Sequence, residues 1–235
     1  MKKAIVTGHT RGLGAAIAAE LQSRGIAVLG LARGRSPLAG IEQAEVDMAD
    51  AAALQAWLAG PSLRDFLAGA DEACLVNNAG VVTPVGQLAA QDPAAVLQAV
   101  LLNVGAPLAL AAAFVQAAPD AARRILHVSS GAGRNAYPGW AVYCATKAAL
   151  DHHVRAVQLD GDPRVLAVSL APGVIDTDMQ AAIRATPEGN FPLRERFVEM
   201  KESGGLTSPE DCARNLADYL LAAGFGAEAV DDLRN

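Results

Sequence analysis

A short apolar, β-branched run passes directly into a glycine turn in the segment Lys3-Ala-Ile-Val-Thr-Gly-His-Thr-Arg-Gly-Leu-Gly14. The run 3–7 has the composition of a buried strand, and Gly8 ends it. Alanine and leucine then recur with helical spacing over 12–24, before Gly25 offers a stop. Glycines between a strand and a helix let backbone N–H groups approach a pyrophosphate, which the helix N-terminus also attracts. The segment therefore predicts a nucleotide site at the end of the first strand.

Strand and helix signals alternate along the rest of the chain. Further strands are predicted at 26–31, just before Asp47, at 73–76, 124–128 and 165–170, with a short edge strand within 227–233. Further helices are predicted at 51–58, from Asp92 onwards, around Tyr143 and at 209–222. This alternation is typical of βαβ units. We therefore expect an α/β fold, a single-domain Rossmann-type doubly wound parallel sheet with helices on both faces, over residues 1–235.

The segment 176–206 mixes glycine, proline and charged residues and follows the sixth predicted strand. Ligands of doubly wound folds bind beyond the carboxyl ends of the strands, where this segment begins. We predict that it is a loop-rich, mobile substrate lid.

Composition limits the classes of function. Of the 235 residues, 52% are hydrophobic and 19% are charged, which is typical of a compact globular protein. The net charge is −6 and no Lys/Arg cluster occurs, so we expect no nucleic-acid partner. Three cysteines without C-x-x-C spacing indicate reduced thiols, a cytoplasmic location and no metal site.

The stretch 93–119 carries no charge and is as long as a membrane span. However, it is rich in alanine and contains Gln98, Asn103 and Pro107. These residues favour a helix in a core or a subunit interface over a membrane helix. The charge-free stretch is too long for one core-facing stripe, so we predict a homodimer or homotetramer and no membrane partner.

Tyr143 and Lys147 lie four residues apart in Tyr143-Cys-Ala-Thr-Lys147, which places both side chains on one face of a helix. An adjacent ammonium favours the phenolate and lowers the pKa of a tyrosine, so the pair predicts a proton donor and acceptor near neutral pH. Ser130 follows an apolar run in a glycine-rich turn, where its hydroxyl can bind a reacting oxygen. The spacing alone also fits an ordinary helix surface, and the glycine turn at 8–14 favours the catalytic interpretation.

Five motifs occur in order: Thr7-Gly8-x-x-x-Gly12-x-Gly14, Asn77-Asn78-Ala79-Gly80, Ser130, Tyr143-x-x-x-Lys147 and Pro172-Gly173. Together they resemble the short-chain dehydrogenase/reductase family of NAD(P)-dependent oxidoreductases, over essentially the whole chain. Within that family, the runs 129–144 and 171–184 are most similar to the sepiapterin-reductase-like branch, and there to bacterial enzymes that reduce one carbonyl of an aromatic 1,2-diketone with NADPH.

The resemblance implies a role for each matching residue. Tyr143 is implied to be the acid/base, Lys147 to bind the nicotinamide ribose and lower the tyrosine pKa, and Ser130 to orient the substrate carbonyl. Asn103 matches a helix asparagine that holds a water beside the lysine. The candidate cofactor contacts are Gly8, Thr10, Arg11, Gly12, Leu13, Gly14, Arg33, Asp47, Met48, Asn78, Ala79, Gly80, Tyr143, Lys147, Pro172, Gly173, Val174 and Thr177, and the candidate substrate contacts are Ser130, Tyr137, Trp140 and Met179.

Some of these residues have a structural alternative. Asp47 either contacts the adenine or caps a turn. Thr177 either touches the carboxamide or caps the helix that follows it. Tyr137 and Trp140 either contact the substrate or pack in the core, since only ten aromatic residues occur in the chain.

The end of the second predicted strand indicates which cofactor binds. An NAD enzyme needs a carboxylate there to accept a hydrogen bond from the ribose 2′-OH, but this place reads Leu31-Ala-Arg-Gly-Arg35. Arg33 offers a planar, permanently charged group suited to a phosphate, and Arg11 adds a second cation. We therefore predict NADPH/NADP+ as the cofactor.

The predicted function is an NADP-dependent short-chain dehydrogenase/reductase that reduces the carbonyl of a small molecule, either a ketone or an aromatic 1,2-diketone. An alcohol dehydrogenase acting on another substrate is an alternative, because the same residues serve both directions. A non-catalytic NADP-binding regulator is a second alternative, because a fold alone does not prove activity. The complete set of Ser130, Tyr143, Lys147 and Asn103 argues against the regulator.

Overall fold

Parallel strands form one sheet in a computed structural model that describes residues 1–234; Asn235 lies outside the described residues. The sheet of the described residues has seven strands in the order β3-β2-β1-β4-β5-β6-β7, and every neighbouring pair is parallel. The strands are β1 Lys2–Thr7, β2 Ala27–Ala32, β3 Glu42–Glu45, β4 Glu72–Asn77, β5 Ala122–Val128, β6 Val165–Ala171 and β7 Val230–Asp232. The predicted single-domain doubly wound α/β fold is confirmed.

Helices connect the strands and cover both faces of the sheet. They are α1 Gly12–Ser23, α2 Ala51–Ala59, α3 Ser62–Leu67, α4 Pro93–Val100, α5 Ala106–Ala117, α6 Ala141–Leu159, α7 Asp178–Ala185, α8 Arg194–Glu202 and α9 Pro209–Leu221. Successive residues of a strand point to opposite faces, and β1 shows this directly. Ala4 and Val6 pack with α1 and α9, whereas Ile5 packs in the core on the side of α2, α3, α5 and α6.

Three of the predicted helices begin at an N-cap whose side chain accepts backbone hydrogen bonds: Asp50, Asp92 and Ser208. The Asp50 carboxylate accepts from the backbone N–H groups of residues 52 and 53, and Asp92 from those of 94 and 95. The Ser208 hydroxyl accepts from the N–H of Asp211. Each bond satisfies a backbone donor that the first helical turn leaves free.

The segment 176–206 differs from the prediction, because it holds two helices, α7 and α8, rather than mostly loop. Their inward side chains explain the difference. Ile183 of α7 and Phe197 of α8 join a buried cluster around Trp140, and Phe191 between the helices is fully buried in the same cluster. Burial of this apolar surface stabilises helical turns whose sequence, rich in charge, gave little helical signal.

The charge-free stretch is a helical run over Pro93–Ala117 that is long and apolar enough to meet the criteria for a membrane span, and a third of its most apolar window is buried. A π-helical turn, Leu101–Gly105, divides it into α4 and α5. Leu110 and Phe114 of α5 are buried against the sheet, which matches the predicted core helix. Leu97 of α4, in contrast, is 71% exposed.

Candidate active site

A cavity of about 990 Å³ opens at the carboxyl ends of the strands. It lies where the strand order reverses between β1 and β4, which is where doubly wound folds bind their ligands. All of the predicted site residues except Asn103 line this cavity: Gly8, Thr10, Arg11, Gly12, Leu13, Gly14, Arg33, Asp47, Met48, Asn78, Ala79, Gly80, Ser130, Tyr137, Trp140, Tyr143, Lys147, Pro172, Gly173, Val174, Thr177 and Met179.

Tyr143 and Ser130 meet in the middle of the cavity. Tyr143 lies in the first turn of α6 and is buried, while Ser130 follows β5 in the turn that faces it. Burial raises the pKa of Tyr143 to about 12, and a hydrogen bond with Ser130 opposes this only in part. The phenol is therefore protonated at neutral pH, the state that a proton donor requires.

Lys147 lies one turn further along α6, and its ammonium is buried. Its Nζ atom donates a hydrogen bond to the Val128 carbonyl at 2.7 Å and lies 5.6 Å from the centroid of the Tyr143 ring. Burial lowers the pKa of Lys147 to about 8, against the opposing effect of Asp151. Burial sets the direction of the Tyr143 pKa in this structure, so the expectation that Lys147 lowers that pKa stays a prediction.

Asn103 lies behind the cavity wall, in the π-helical turn, and is 1% exposed. Its Oδ1 accepts from the Val81 N–H at 2.9 Å, and its Nδ2 donates to the Val81 carbonyl at 2.8 Å. A Cβ at Gly80 would lie 3.1 Å from Asn103 Oδ1 and 3.9 Å from Lys147 Nζ. The asparagine therefore fixes the loop after β4 beside the lysine, and π-helical turns of this kind are frequent at functional sites.

The glycine turn has the geometry that close approach of a phosphate requires. Gly8 and Gly12 have φ values of +71° and +53°, a region that L side chains rarely adopt. A Cβ at Gly14 would lie only 2.1 Å from the Gly8 carbonyl oxygen. The Thr7 hydroxyl accepts from the N–H groups of Asn78 and Ala79, which fixes this turn against the end of β4.

The arginines at this end of the cavity differ in their partners. Arg33 follows β2, is exposed, and has no ion pair or side-chain hydrogen bond within residues 1–234. Arg35, two residues on, pairs with Glu45 at 2.8 Å, and Arg11 pairs with Asp178 at 3.4 Å. Of the three, Arg33 is the cation left available to an anionic group beyond β2.

The surroundings of Asp47 and Thr177 bear on the structural alternatives that the sequence offers for them. Asp47 Oδ1 accepts from the Ala49 N–H at 2.9 Å, so the turn-capping role is present while the residue also lines the cavity. Met48 beside it is buried. Thr177 occupies the N-cap position of α7 without a side-chain capping bond, and its methyl group would contact a Cβ at Gly12.

The far end of the cavity is aromatic and apolar. Trp140 stacks on Phe191 with ring centroids 4.6 Å apart, and Tyr137, Tyr143 and Phe197 meet its ring at centroid distances of 5.3–5.6 Å. Tyr137 and Trp140 therefore pack in this cluster and also line the cavity, while their contact with a substrate stays a prediction.

Sequence reasoning missed the lining residues that α4, α7 and α8 contribute. The additional side chains include Ala95, Ile183, Arg196, Phe197 and Met200. The apolar residues at 197 and 200 have helical spacing in an otherwise charged segment, a signal that could have identified α8 as amphipathic.

Comparisons with known proteins agree with this arrangement. The family model for short chain dehydrogenase matches residues 2–188. Benzil reductase ((S)-benzoin forming) from Bacillus cereus is 31% identical over 96% of this chain and 96% of that protein. Sepiapterin reductase from Meriones unguiculatus is 31% identical over 97% of this chain and 94% of that protein. A solved short-chain dehydrogenase/reductase from Burkholderia vietnamiensis is 49% identical, with a TM-score of 0.71 over 100% of this chain and 99% of that one. The chain therefore belongs to the short-chain dehydrogenase/reductase family of oxidoreductases.

Proposed function

We propose that this protein is an NADPH-dependent carbonyl reductase that transfers hydride to a ketone or an aromatic 1,2-diketone. The observation that carries the proposal is the convergence of Ser130, Tyr143 and Lys147 in one cavity. On one side of them lies a glycine turn that only glycine fits, and on the other an aromatic compartment. This order, cofactor site, proton donor, apolar compartment, is what reduction of an apolar carbonyl compound requires.

Each catalytic residue has a defined task in this reaction. When bound, the reduced nicotinamide supplies a hydride to the carbonyl carbon. Tyr143 supplies the proton that the carbonyl oxygen gains, and its raised pKa keeps that proton in place until the oxygen becomes basic. The Ser130 hydroxyl donates a hydrogen bond to the same oxygen, and the Lys147 ammonium stabilises the phenolate that Tyr143 becomes.

Arg33 supports NADPH over NADH. Its guanidinium has no partner within residues 1–234 and follows β2 directly, where the ribose of the adenosine end binds in this fold. No acidic residue lies in 31–35, so a 2′-OH finds no carboxylate there, whereas a 2′-phosphate finds a cation. Arg11 lines the same cavity as a second cation, although it already contacts Asp178.

The aromatic compartment supports an aromatic substrate. Trp140, Phe197 and Tyr137 offer ring faces and edges, and Met179, Ile183 and Met200 line the same cavity. Aromatic rings bury large apolar areas and pack well against such groups. The activity for which the Bacillus cereus relative is named, benzil reduction, is consistent with a substrate of this shape.

The proposal is tested by the loss of NADPH absorbance with a substrate panel. The panel contains benzil, a phenyl-substituted 1,2-diketone, acetophenone and an aliphatic 1,2-diketone, each offered with NADPH and with NADH. We expect the highest kcat/KM for an aromatic diketone with NADPH. Turnover of alcohols with NADP+ alone would indicate the dehydrogenase alternative. Tight NADPH binding without turnover of any compound would indicate the regulator.

We further propose that the protein acts in the cytoplasm as a homodimer or homotetramer, and that 176–206 is the substrate lid. Leu97 and Val100 of α4 are 71% and 42% exposed on the charge-free helical run, an apolar face that a second copy would cover. Leu97→Glu should give a smaller soluble species, whereas Leu110→Glu should unfold the protein because Leu110 is 1% exposed. A wild-type mass of 24.1 kDa by light scattering would contradict the interface.

A further inference from the structure

A carboxylate lies buried directly behind the catalytic residues. Asp151 is on α6, one helical turn after Lys147, and is 2% exposed. Its Oδ1 atom accepts hydrogen bonds from the Ser129 hydroxyl at 2.7 Å and the Ser169 hydroxyl at 2.6 Å. Buried carboxylates are rare because desolvation of the charge costs free energy unless partners compensate.

The two hydroxyls belong to the strand ends that carry the site. Ser129 immediately precedes Ser130, and its N–H donates to the Leu170 carbonyl at 2.8 Å. Ser169 lies on β6, which leads into Pro172. One carboxylate oxygen therefore joins the catalytic helix to the segment that holds Ser130 and to the strand that leads to the nicotinamide side of the cavity.

The second oxygen of Asp151 is not compensated in this way. Oδ2 is buried and has no hydrogen-bond partner within the part of the chain that the structure describes. It lies close to Gly133, where an added Cβ would come within 2.6 Å of it. Both partners of Oδ1 are neutral hydroxyls, so they do not neutralise the carboxylate charge. The charge acts on the Lys147 ammonium: burial lowers the pKa of Lys147, and the Asp151 carboxylate opposes this by raising it.

The other titratable groups of the elements packed around Asp151 lie on α6 itself, β5 and β7. The π-helical turn, α4, β6 and the turn 131–133 contain no titratable residue. The remaining groups are Tyr143, Cys144, His152, His153 and the exposed Arg155 on α6, Arg123, Arg124 and His127 on β5, and Asp231 and Asp232 on β7. Of these, Asp231 accepts from Tyr219, and Asp232 contacts Arg134 and Arg234.

We propose that Asp151 is a positioning residue for the reaction: its charge keeps the Lys147 ammonium protonated, and its hydrogen bonds hold the Ser130 segment against the catalytic helix. The inference rests on the proposed function, because it assigns Asp151 a part in the same proton transfer. If Asp151 had only a structural role, it would act through its hydrogen bonds alone. The pH dependence separates the two roles, since only loss of the charge changes the protonation of Lys147.

The test is the pH profile of kcat with NADPH and the best carbonyl substrate, for wild type, Asp151→Asn and Ser169→Ala. Asparagine keeps an oxygen that accepts from both serines but removes the charge. Ser169→Ala keeps the charge and removes one hydroxyl. In Asp151→Asn we expect the alkaline fall of the kcat–pH profile to begin about one pH unit lower than in wild type. At a pH above this fall, kcat should be about tenfold lower than in wild type. At a pH below this fall, kcat of Asp151→Asn should be near the wild-type value. Ser169→Ala should show the alkaline fall of kcat at the same pH as wild type.

An unshifted alkaline fall of kcat in Asp151→Asn, or an equal loss of kcat at every pH, would overturn the proposal. If the asparagine variant does not fold, Asp151→Ser removes the same charge with a smaller side chain and is judged by the same outcomes. Titration of the Lys147 side chain by NMR, in lysine-labelled protein and assigned with Lys147→Arg, gives a readout without turnover. The midpoint should fall by about one unit in the neutral variant. An unchanged midpoint overturns the proposal even if no panel compound is a substrate, whereas absent turnover alone counts only against the proposed function.

Discussion

The two ends of the cavity are built from different parts of the chain. At the cofactor end the wall is mainly backbone, shaped by Gly8, Gly12 and Gly14 where β1 passes into α1. At the substrate end the wall is mainly side chains, contributed by α7 and α8 and packed around Trp140. Backbone geometry leaves a local mark in the sequence, whereas a side-chain wall depends on which distant segments fold over it. We therefore expect changes at the two ends to affect cofactor and substrate separately.

Tyr143→Phe removes the proton donor at the point where the two ends meet, and should have the largest effect. The phenyl ring retains the packing on Trp140, so binding at both ends should persist. We expect kcat to fall by about 10²–10⁴-fold. NADPH affinity, measured by fluorescence titration, is the control and should stay at the wild-type value. A variant that retained more than about a tenth of wild-type kcat would exclude Tyr143 as the acid.

Arg33→Asp tests the cofactor end alone. The new carboxylate repels a 2′-phosphate and can accept from a 2′-OH, so the NADPH/NADH ratio of kcat/KM should fall by at least about tenfold. Arg35→Asp is the matched control, because Arg35 is two residues away but paired with Glu45. If the NADPH/NADH ratio fell more in Arg35→Asp than in Arg33→Asp, Arg33 would not be the residue that selects NADPH. Diketone KM, measured at saturating cofactor, should change in neither variant.

Phe197→Ala tests the substrate end alone. Phe197 is buried against Trp140 and Phe191 while lining the cavity, so its loss should raise the KM of an aromatic substrate by about tenfold. Glu199→Ala, at an exposed position of the same helix, should leave KM unchanged. Steady-state kinetics of both variants measures the KM values. A parallel rise in the NADPH KM would contradict the separation of the two ends.

The smallest effect concerns the support of the sheet rather than the cavity. Asn77 Nδ2 donates to Nδ1 of buried His127, whose Nε2 lies 3.1 Å from Nδ1 of His153. Burial lowers the pKa of His127 to about 3 and also lowers that of His153. Both histidines therefore bind protons more readily in the unfolded chain, so their contribution to stability is complete above pH ~6.5 and is lost as the pH falls.

Urea unfolding at pH 7.5 and 5.5 should show this loss as at most about 1.4 kcal/mol per pH unit for each histidine. In His127→Gln the free energy of unfolding should depend less on pH than in wild type. His152→Gln, at an exposed neighbouring position, should keep the wild-type slope. Equal slopes in all three proteins would show that the buried pair does not govern acid stability.

The cofactor end could be predicted because its signals are local. A side chain at position 14 would clash with the backbone of Gly8, only six residues away. Lys147 follows Tyr143 by one helical turn. Asn103 was identified by position, but the π-helical turn that carries it has no sequence signal of its own. The alternation of strands and helices likewise sufficed for the sheet, because each parallel strand needs a crossover connection.

Helices α7 and α8 and the role of Asp151 could not be predicted, for a different physical reason. Phe191, between the two helices, and Phe197 of α8 contact Trp140, about fifty residues earlier in the chain, and single-sequence patterns carry no such contact. Asp151 lies in an amphipathic helix, where an acidic residue is normally solvated. Only the meeting of β5, β6 and α6 places Ser129 and Ser169 around it. The same limit explains the pKa of Tyr143, which depends on burial rather than on the spacing to Lys147.

The central claim, hydride transfer from a nicotinamide to a carbonyl carbon, is tested most directly by isotope transfer. NADPH carrying deuterium at the reactive carbon, in separate preparations for each face, is incubated with the protein and an aromatic diketone, and the product is analysed by mass spectrometry. We predict one deuterium at the new carbinol carbon from one of the two labelled faces, and no product with Tyr143→Phe on the same time scale. Product without deuterium from either labelled cofactor would contradict the account.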